Sequence, residues 1–283
     1  MTCMPFGQLM EWVLQEKSGK DTVFGVHRPY TINADHNLTI FERNLETPVG
    51  PAAGPHTQLA QNIIASYYAG ARFFELKTVQ KMDGAELSAC VNKPCILADD
   101  EGYNCEWSTE LTVPDAMSEY IKAWFILHVM AKEFDLGAQD GFQFNISVGY
   151  DLEGIKGDKV NTFIDGMMEA KDTAVFQECK KWLLDNADRF HNFTREDIEA
   201  IPSNVCNSAT ISTLHGCPPQ EIESIANYLL TEKHLNTFVK CNPTLLGYDF
   251  ARKTMDEMGY DYIAFDDHHF REDLQYKDAV PMF

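Results

Sequence analysis

The residues with the clearest chemical potential form the run His215-Gly216-Cys217-Pro218-Pro219. This run follows the strand-like stretch 209–214 and precedes a predicted helix over 220–231. The positive end of a helix dipole lowers the pKa of a nearby thiol, so we predict that Cys217 is the most reactive cysteine and a catalytic acid or base. His215, two residues away, is predicted to assist proton transfer. The alternative is that Cys217 is a buried, inert cysteine.

Lysine and small polar side chains stand at the ends of two other predicted strands. Lys77 and Thr78 close one strand, and Lys240 closes another, two residues before Asn242. A lysine at the end of a buried strand is costly to desolvate unless it meets an anion or a polar ring. We predict that both lysines point into one mouth, with ammonium groups within about 10 Å of each other. A flavin fits such a mouth, because a reduced flavin carries negative charge near N1 and O2; the alternative is two unrelated surface charges.

A stretch of very small residues precedes the first of these strands. Ala52, Ala53 and Gly54 lack the bulk that would keep a planar ligand away from the backbone, and Pro55 then forces a turn. Thr57 is predicted to cap the helix that follows, which ends near Ala69-Gly70. The same stretch therefore predicts a strand, a turn, a helix and a second strand.

The remaining cysteine and histidine clusters do not indicate a metal site. Cys90, Cys95 and Cys105 have the wrong spacing for a zinc ribbon and contain no close pair. The run Asp266-Asp267-His268-His269 has the composition of a ligand cluster, but consecutive residues of a strand point to opposite faces, so we interpret it as a solvated loop. No phosphate-binding P-loop and no GxGxxG motif occurs in the sequence.

Strand-like and helix-like segments alternate through most of the chain. We identify six strand candidates, near 47, 73, 142, 209, 237 and 261. Between 142 and 148 the pattern places Asn145 and Ser147 on one face and Phe144 and Ile146 on the other. Such alternation predicts parallel strands joined by crossover helices, and a complete barrel of this kind needs eight strands. The fold class is therefore α/β, with an incomplete barrel whose open edge another segment must cover.

The first 46 residues differ from the rest. Apolar residues between Phe6 and Leu14 predict an amphipathic helix that ends near Gly19. The runs 23–26 and 38–41 are predicted to pair as a hairpin beneath the barrel. We therefore divide the chain into an extension over 1–46 and a partial barrel domain over 47–283, which ends inside a helical segment.

Composition limits the classes of function. The chain has 283 residues, 45% of them apolar, enough for a large core. Its 23 basic and 43 acidic residues give a net charge of −20, which disfavours binding to nucleic acid or to an anionic membrane. The sequence contains no stretch long enough to cross a bilayer and does not open with a secretion signal, so we expect a cytoplasmic protein with reduced thiols.

Five separated segments carry a family resemblance. They are ETPVGPAAGPHTQLAQNI, ARFFELKTVQ, FNISVGYDLEGI, STLHGCPPQEIE and FVKCNPTLLGY. In this order they resemble the N-terminal barrel of the YgfK family of selenate-reductase-type subunits. That barrel is in turn similar to dihydroorotate dehydrogenase and to the FMN domain of dihydropyrimidine dehydrogenase. The similarity runs from about Pro5 to the end of the chain.

The resemblance implies a TIM barrel of the dihydroorotate dehydrogenase type, with FMN across its C-terminal mouth and Cys217 as the catalytic acid. Our candidates for binding the cofactor are Ala52, Ala53, Gly54, Lys77, Thr78, Asn145, Lys240 and Asn242. The pyrimidine enzymes have an asparagine where this chain has Thr213, and their loop lacks Gly216, so pyrimidine chemistry is not implied. The loops that normally hold the FMN phosphate follow a seventh and an eighth strand, which we do not find in the sequence.

The resemblance also implies a larger assembly. FAD, NAD(P) and iron–sulfur clusters are expected only in modules that follow the barrel. Electrons are expected to pass between NAD(P)H, flavin and these clusters and a redox partner such as a molybdenum hydroxylase, with ferredoxin-like subunits. The remainder of the polypeptide or a covering chain is expected to protect the open sheet edge. The alternative is a catalytically inactive barrel that acts as an assembly scaffold.

Overall fold

The computed structural model describes residues 2–30, 38–90, 111–212 and 217–282. The helices are α1 Phe6–Lys20, α2 Ala60–Tyr68, α3 Gly84–Cys90, α4 Val113–Glu133, α5 Leu152–Lys156, α6 Asp158–Met168, α7 Ala174–Asp185, α8 Arg195–Ala200, α9 Pro219–Asn227, α10 Tyr248–Glu257, α11 His268–Glu272 and α12 Tyr276–Met282. The strands are β1 Leu38–Ile40, β2 Arg43–Leu45, β3 Phe73–Glu75, β4 Gln143–Gly149, β5 Cys206–Ser212 and β6 Asn236–Lys240.

The central element is a parallel sheet in the order β3-β4-β5-β6, and β1 and β2 form a separate antiparallel pair. The predicted α/β class with parallel strands is confirmed. The predicted count of six is wrong, since the described residues form four parallel strands that do not close into a barrel. The segment near 47 runs beside β3, where Val49 O accepts from Arg72 N at 2.9 Å, but Pro48 and Pro51 remove donors that a strand needs. The segment near 261 is a turn and extended loop after α10.

The two faces of the parallel sheet differ in composition. The helix face packs against the helices and carries Phe74, Leu76, Phe144, Ile146, Val148, Ala209, Ile211 and Val239. The inner face carries Phe73, Glu75, Gln143, Asn145, Ser147, Ser208, Thr210, Ser212, Asn236, Phe238 and Lys240. Partners in a parallel register point to the same side, so these sets follow from the pairing. The predicted separation of Asn145 and Ser147 from Phe144 and Ile146 is confirmed.

Aromatic contacts show that the sheet curves around its inner face. The ring of Phe238, on β6, lies 6.0 Å from the ring of Phe73, on β3, although two strands separate them. Phe238 also meets Phe41, in the β1–β2 turn, at 4.9 Å. A flat sheet would hold β3 and β6 roughly 14 Å apart, so these contacts require barrel-like curvature.

The hairpin closes the amino-terminal end of the inner face. Gln143 Nε2 donates to carbonyl oxygens of Ile40, Arg43 and Asn44, at 3.2, 2.9 and 3.1 Å. The predicted pairing of 23–26 with 38–41 is wrong, because β1 pairs with β2 instead. Its turn has φ of 52° at Phe41 and 62° at Glu42, the left-handed pair that matches the twist of a tight hairpin.

A buried ion pair joins this hairpin to the sheet. The guanidinium of Arg72 is fully buried, and its Nε lies 2.7 Å from a carboxylate oxygen of Glu46. Its other nitrogens donate to the carbonyls of Tyr67, Ala71 and Leu136. Because all three guanidinium nitrogens donate, the position of the hairpin is fixed against β3.

The N-terminal helix belongs to the same core as the sheet. Phe6, Leu9, Met10 and Val13 of α1 are buried in it, which confirms the predicted amphipathic helix. The boundary proposed at residue 46 stays a prediction.

The predicted start of α2 is wrong, whereas its predicted end near Ala69-Gly70 is confirmed. Leu59 precedes the helix, and the Thr57 hydroxyl lies in a short turn where it donates to Gly54 O at 3.0 Å. The side chain of Thr57 therefore orders the turn before the helix rather than capping the helix itself.

The longest helix, α4, is buried along nearly all its length. It carries the ion pair of Glu119 and Lys122 in its middle, and Glu119 also accepts from Ala60 N at 2.7 Å. Across the described part of the chain, none of the helices combines the length and the apolar character that a bilayer crossing requires.

Candidate functional site

The carboxyl ends of the parallel strands bring the two predicted lysines to one rim. Ser212 of β5 pairs with Gly149 on one side and with Lys240 on the other. Lys77 follows β3 at the same end of the sheet, just before the bridge between Val79 and Val148. Strand spacing puts the two lysine backbones roughly 14 Å apart in a flat sheet, and curvature shortens that distance. The separation of the ammonium groups stays a prediction.

A β-bulge aims Lys77 and Thr78 at the inner face. The register advances four residues from Glu75 to Val79, but only three on β4. Since Leu76 and Val79 both pack into the apolar core, the extra residue turns Lys77 and Thr78 to the opposite side. The Thr78 hydroxyl lies 2.8 Å from the Ser147 hydroxyl, which confirms this direction for Thr78.

The two lysines have different surroundings. Lys77 is 7% exposed, and its Nζ lies 3.4 Å from the carbonyl oxygen of Thr78. Lys240 is exposed at the end of β6. Asn242 follows it and accepts from Leu245 N at 3.1 Å through its carbonyl, at the start of the turn Pro243–Leu246. The rim thus offers one cation held inside the fold and one open to solvent.

Buried amide and hydroxyl groups line the inner face below this rim. Asn145 is fully buried and donates through Nδ2 to the Thr210 hydroxyl at 2.7 Å. Asn145 Oδ1 and Ser208 Oγ have no hydrogen-bond partner among the described residues. A buried polar atom without a partner costs about 1–3 kcal/mol, so both atoms favour a ligand or water that supplies the bond.

The small residues of the 52–54 turn are held by an acid that the sequence did not single out. Ala53 N donates to Glu75 Oε2 at 2.9 Å, and Gly54 N donates to the Thr57 hydroxyl at 3.2 Å. These backbone donors are therefore already used. Ala52 is exposed. Because residues 52–54 have no bulky side chains, the turn still leaves room for a planar ligand.

The surroundings of Cys217 overturn one prediction. Burial raises the pKa of its thiol, and the carboxylates of Glu221 and Asp151 raise it further. The predicted lowering of this pKa is wrong, because the thiol is partly buried and lies near two carboxylates. The thiol packs against Ile222 and Leu274 and stays protonated near neutral pH, so it can donate a proton rather than act as a thiolate. His215 lies outside the described residues.

A strained residue stands where β4 ends. Tyr150 has φ of 89°, a left-handed value that costs free energy for a residue with a side chain. Lys81 Nζ lies 4.1 Å from the centre of its ring and 2.6 Å from an Asp151 carboxylate oxygen. Leu152 N donates to Glu221 at 2.7 Å, which ties this exit to α9. The residue types alone gave no signal of this strain.

The Asp266–His269 run is the predicted loop only at Asp266 and Asp267. His268 begins the short helix α11, and its Nε2 lies 3.3 Å from a Glu272 carboxylate oxygen. Ligand atoms of His268, His269 and Glu272 lie within 4.8 Å of one another, and all three side chains are exposed. Of the cysteines considered for metal binding, Cys90 is exposed on α3, whereas Cys95 and Cys105 lie outside the described residues.

Comparison with known proteins settles the family. Residues 24–283 match the family described as oxidoreductase YgfK, N-terminal TIM-barrel domain. The chain belongs to this family. It is 44% identical over 296 aligned residues to YgfK of Escherichia coli strain K12, and equally to YgfK of Escherichia coli O157:H7. The alignment covers 100% of this chain and 28% of each relative, so the chain spans about a quarter of their length.

Among solved structures, the ligand-free dihydroorotate dehydrogenase of Eimeria tenella shares 12% sequence identity with the YgfK-family chain. The superposition covers 86% of this chain and 70% of that enzyme, with a TM-score of 0.39. A score this low has no bearing on function. The TIM-barrel class of the domain rests on the family match and on the curved parallel sheet.

Proposed function

We propose that this chain is the flavin-binding barrel of a YgfK-type oxidoreductase. One observation carries the proposal: Lys77, Thr78 and Lys240 lie along the same carboxyl rim of a polar inner face. Ligands of parallel barrels bind at this end of the strands. Membership in an oxidoreductase family supports a redox cofactor there.

The inner face fits FMN in the chemistry of its donors and acceptors. Lys77 and Lys240 would face the electron-rich edge of the ring system, where a cation stabilises negative charge. Asn145 Oδ1, which has no partner among the described residues, would accept from a ring N–H. Thr78 and Asn242 would add polar contacts, and the 52–54 turn would leave room for a planar group. When bound, the flavin would supply hydride or electron transfer.

Cys217 is proposed to hold a proton above this rim. Its raised pKa keeps the thiol protonated, the state that a general acid needs. His215 is proposed to hydrogen bond to the thiol or to a substrate. The carboxylates of Asp151 and Glu221 would then maintain the acid form rather than activate a nucleophile.

The family and the share of the relatives that the chain spans support a proposal for the wider role. The domain covers 28% of YgfK, so further modules of the relatives lie outside it. We propose that it passes electrons between NAD(P)H, flavin and iron–sulfur centres and a redox partner such as a molybdenum hydroxylase, as a selenate-reductase-type subunit. FAD, NAD(P) and iron–sulfur binding would belong to the other modules or to ferredoxin-like subunits, which would also cover the open sheet edge.

Bound flavin is the first test. The intact protein, purified without denaturation, should show flavin absorption, and a native mass spectrum should show the mass of FMN. A colourless protein that takes up no added FMN would end the proposal.

Cys217→Ser is the second test. If the thiol is a general acid, turnover should fall by roughly 10²–10⁴ while FMN stays bound. Cys90→Ser, at an exposed cysteine on α3, is the matched control and should leave turnover unchanged. Equal turnover in both variants would make Cys217 structural.

An inactive scaffold is the second candidate, and one observation favours it. Inner-face polar groups already pair with one another, as in Thr78 with Ser147, Asn145 with Thr210 and Glu75 with Ala53 N. A scaffold would assemble with its partners normally when Lys77 and Lys240 are both replaced by methionine. A flavin barrel would assemble but lose its colour.

A further inference from the structure

Two histidines and a glutamate come together on the short helix α11. One ligand atom from each of His268, His269 and Glu272 lies within 4.8 Å of the others. The sequence alone did not indicate this grouping, because a strand would send His268 and His269 to opposite faces. In the helix, Glu272 lies four residues after His268 and therefore on the same side, one turn away.

The distances fit the coordination shell of a small transition metal. His268 Nε2 lies 3.3 Å from a carboxylate oxygen of Glu272. Nitrogen and oxygen ligands of tetrahedral Zn²⁺ lie about 2.0–2.2 Å from the ion, so two of them are roughly 3.3–3.6 Å apart. The pair of His268 and Glu272 already has this separation. The widest separation in the set, up to 4.8 Å, exceeds it by about 1.5 Å, a gap that exposed side chains close by rotation.

Tertiary contacts hold α11 in place, although the helix has only five residues. The ring of Phe270 stacks on Phe265 at 5.9 Å and meets Tyr248 at 5.5 Å. Asp273, directly after the helix, accepts from the Thr244 hydroxyl at 2.6 Å. A helix this short is not stable by itself, so these contacts fix its backbone. The ligand side chains are thereby partly preorganised, which lowers the entropy cost of binding an ion.

The charges around the helix favour a cation. Asp266 and Asp267 precede the two histidines, and Asp266 accepts from His268 N at 3.1 Å. The guanidinium of Arg271, on the helix itself, lies 2.8 Å from a carboxylate oxygen of Asp267, which offsets its charge. The three ligand side chains are exposed, so an ion can reach them without any change in the core.

The types of ligand atom select the metal. Mg²⁺ and Ca²⁺ prefer oxygen ligands, whereas imidazole nitrogen suits Zn²⁺, Cu²⁺ and Ni²⁺. Two histidines and one carboxylate can hold Zn²⁺ with water in the fourth position. We infer that His268, His269 and Glu272 form a binding site for a divalent transition metal of the Zn²⁺ class, with one position left for water. The site does not depend on flavin binding, because none of its residues belongs to the lysine rim.

Hydrogen exchange of the intact protein tests the site at the helix itself. A Zn²⁺ ion that joins His268 to Glu272 links two positions one turn apart. At Zn²⁺ concentrations 10 to 100 times the dissociation constant, exchange of the amides of residues 268–273 should therefore slow by about 10- to 100-fold. The same concentration of Mg²⁺ should leave exchange unchanged. If Mg²⁺ protects as well as Zn²⁺, the acidic residues attract cations without a defined site and the inference is wrong.

Substitutions separate this site from any other metal in the protein. In equilibrium dialysis against Zn²⁺, His268→Ala and Glu272→Gln should each weaken binding at this site at least 10-fold, since loss of an outer-shell partner alone costs about 10- to 100-fold. His191→Ala and Glu257→Gln, at an exposed histidine and an exposed glutamate elsewhere, are the controls and should bind Zn²⁺ as the wild type does. Equal Zn²⁺ binding by His268→Ala and His191→Ala would contradict the inference. All four substitutions are at exposed positions, so the folded chain should tolerate them.

Discussion

On the helix face of the sheet, the side chains are apolar and packed, whereas on the inner face most are polar and bond to one another. Neighbouring residues of β4 illustrate the contrast: Phe144 is buried among Phe74 and Trp124, and Asn145 is equally buried but bonds to Thr210. Burial alone therefore does not distinguish the two faces. The two faces differ in the contacts that their buried side chains make: apolar packing on the helix face, and hydrogen bonds on the inner face.

The contrast separates a face that is satisfied by packing from a face whose hydrogen bonds are incomplete among the described residues. On the helix face each residue contributes by excluding water, which needs no particular partner. On the inner face Asn145 Oδ1 and Ser208 Oγ have no partner among the described residues, so this face is incompletely satisfied. A polar network that is only partly satisfied inside a fold is expected at a functional site.

The largest effect should come from the helix face. Phe144→Ala removes a fully buried ring and should lower the free energy of unfolding by about 3–5 kcal/mol. Phe73→Ala, on the inner face and half-buried, should cost clearly less. Urea denaturation of both variants measures the difference. Equal losses would show that the inner face is packed as a second core.

A smaller loss of stability is expected at Gln143, the residue before Phe144. Gln143→Met keeps the volume but leaves the carbonyls of Ile40, Arg43 and Asn44 without their donor, and should cost about 1–3 kcal/mol. Gln177→Met, at an exposed glutamine with one hydrogen bond to Lys171 O, should change stability by less than about 0.5 kcal/mol. If Gln143→Met matches this control, the hairpin does not depend on the inner face.

A third effect concerns pH and the helix layer. The folded pKa of His128 is about 3, below its ordinary value of 6.5, so below pH 6.5 the unfolded chain binds a proton that the folded chain does not. The stability that this group contributes is complete above pH 6.5 and is lost as the pH falls toward 3. His128→Phe should therefore lose less stability than the wild type between pH 6.5 and 4 in urea titrations. Parallel losses would mean that His128 is protonated in the folded state.

The parts of the fold that follow from local periodicity could be predicted from the sequence. Helices α1 and α4 and the alternation along β4 belong to this group, because each depends on residues close together in the chain. The parallel sheet pairs distant residues, and it could be predicted only from the order of strand and helix segments. The β1–β2 hairpin could not be predicted in this way, since Phe41 and Glu42 adopt left-handed conformations that their residue types do not favour. The apolar pair Pro48-Val49 favours a strand near 47, but Pro48 and Pro51 lack the N–H groups that strand pairing needs.

The site was predictable in its residue types but not in its geometry. Two lysines at strand ends suggested a common mouth, and they do lie at one rim of the sheet. The bulge that turns Lys77 inward leaves no mark in the sequence, because it arises from pairing with β4. The pKa of Cys217 depends on burial and on Asp151, which is distant in the chain, so a rule based on the following helix gave the wrong direction.

The most direct test of a flavin site on the inner face is the affinity of the intact protein for FMN. Lys77→Met is the test variant, and Lys253→Met is the control. Lys253 is a solvent-exposed lysine of α10. A charged contact is worth about 1.5–3 kcal/mol, so Lys77→Met should weaken FMN roughly 10- to 100-fold while Lys253→Met changes nothing. Equal FMN affinity in the two variants would contradict a flavin site at the carboxyl rim.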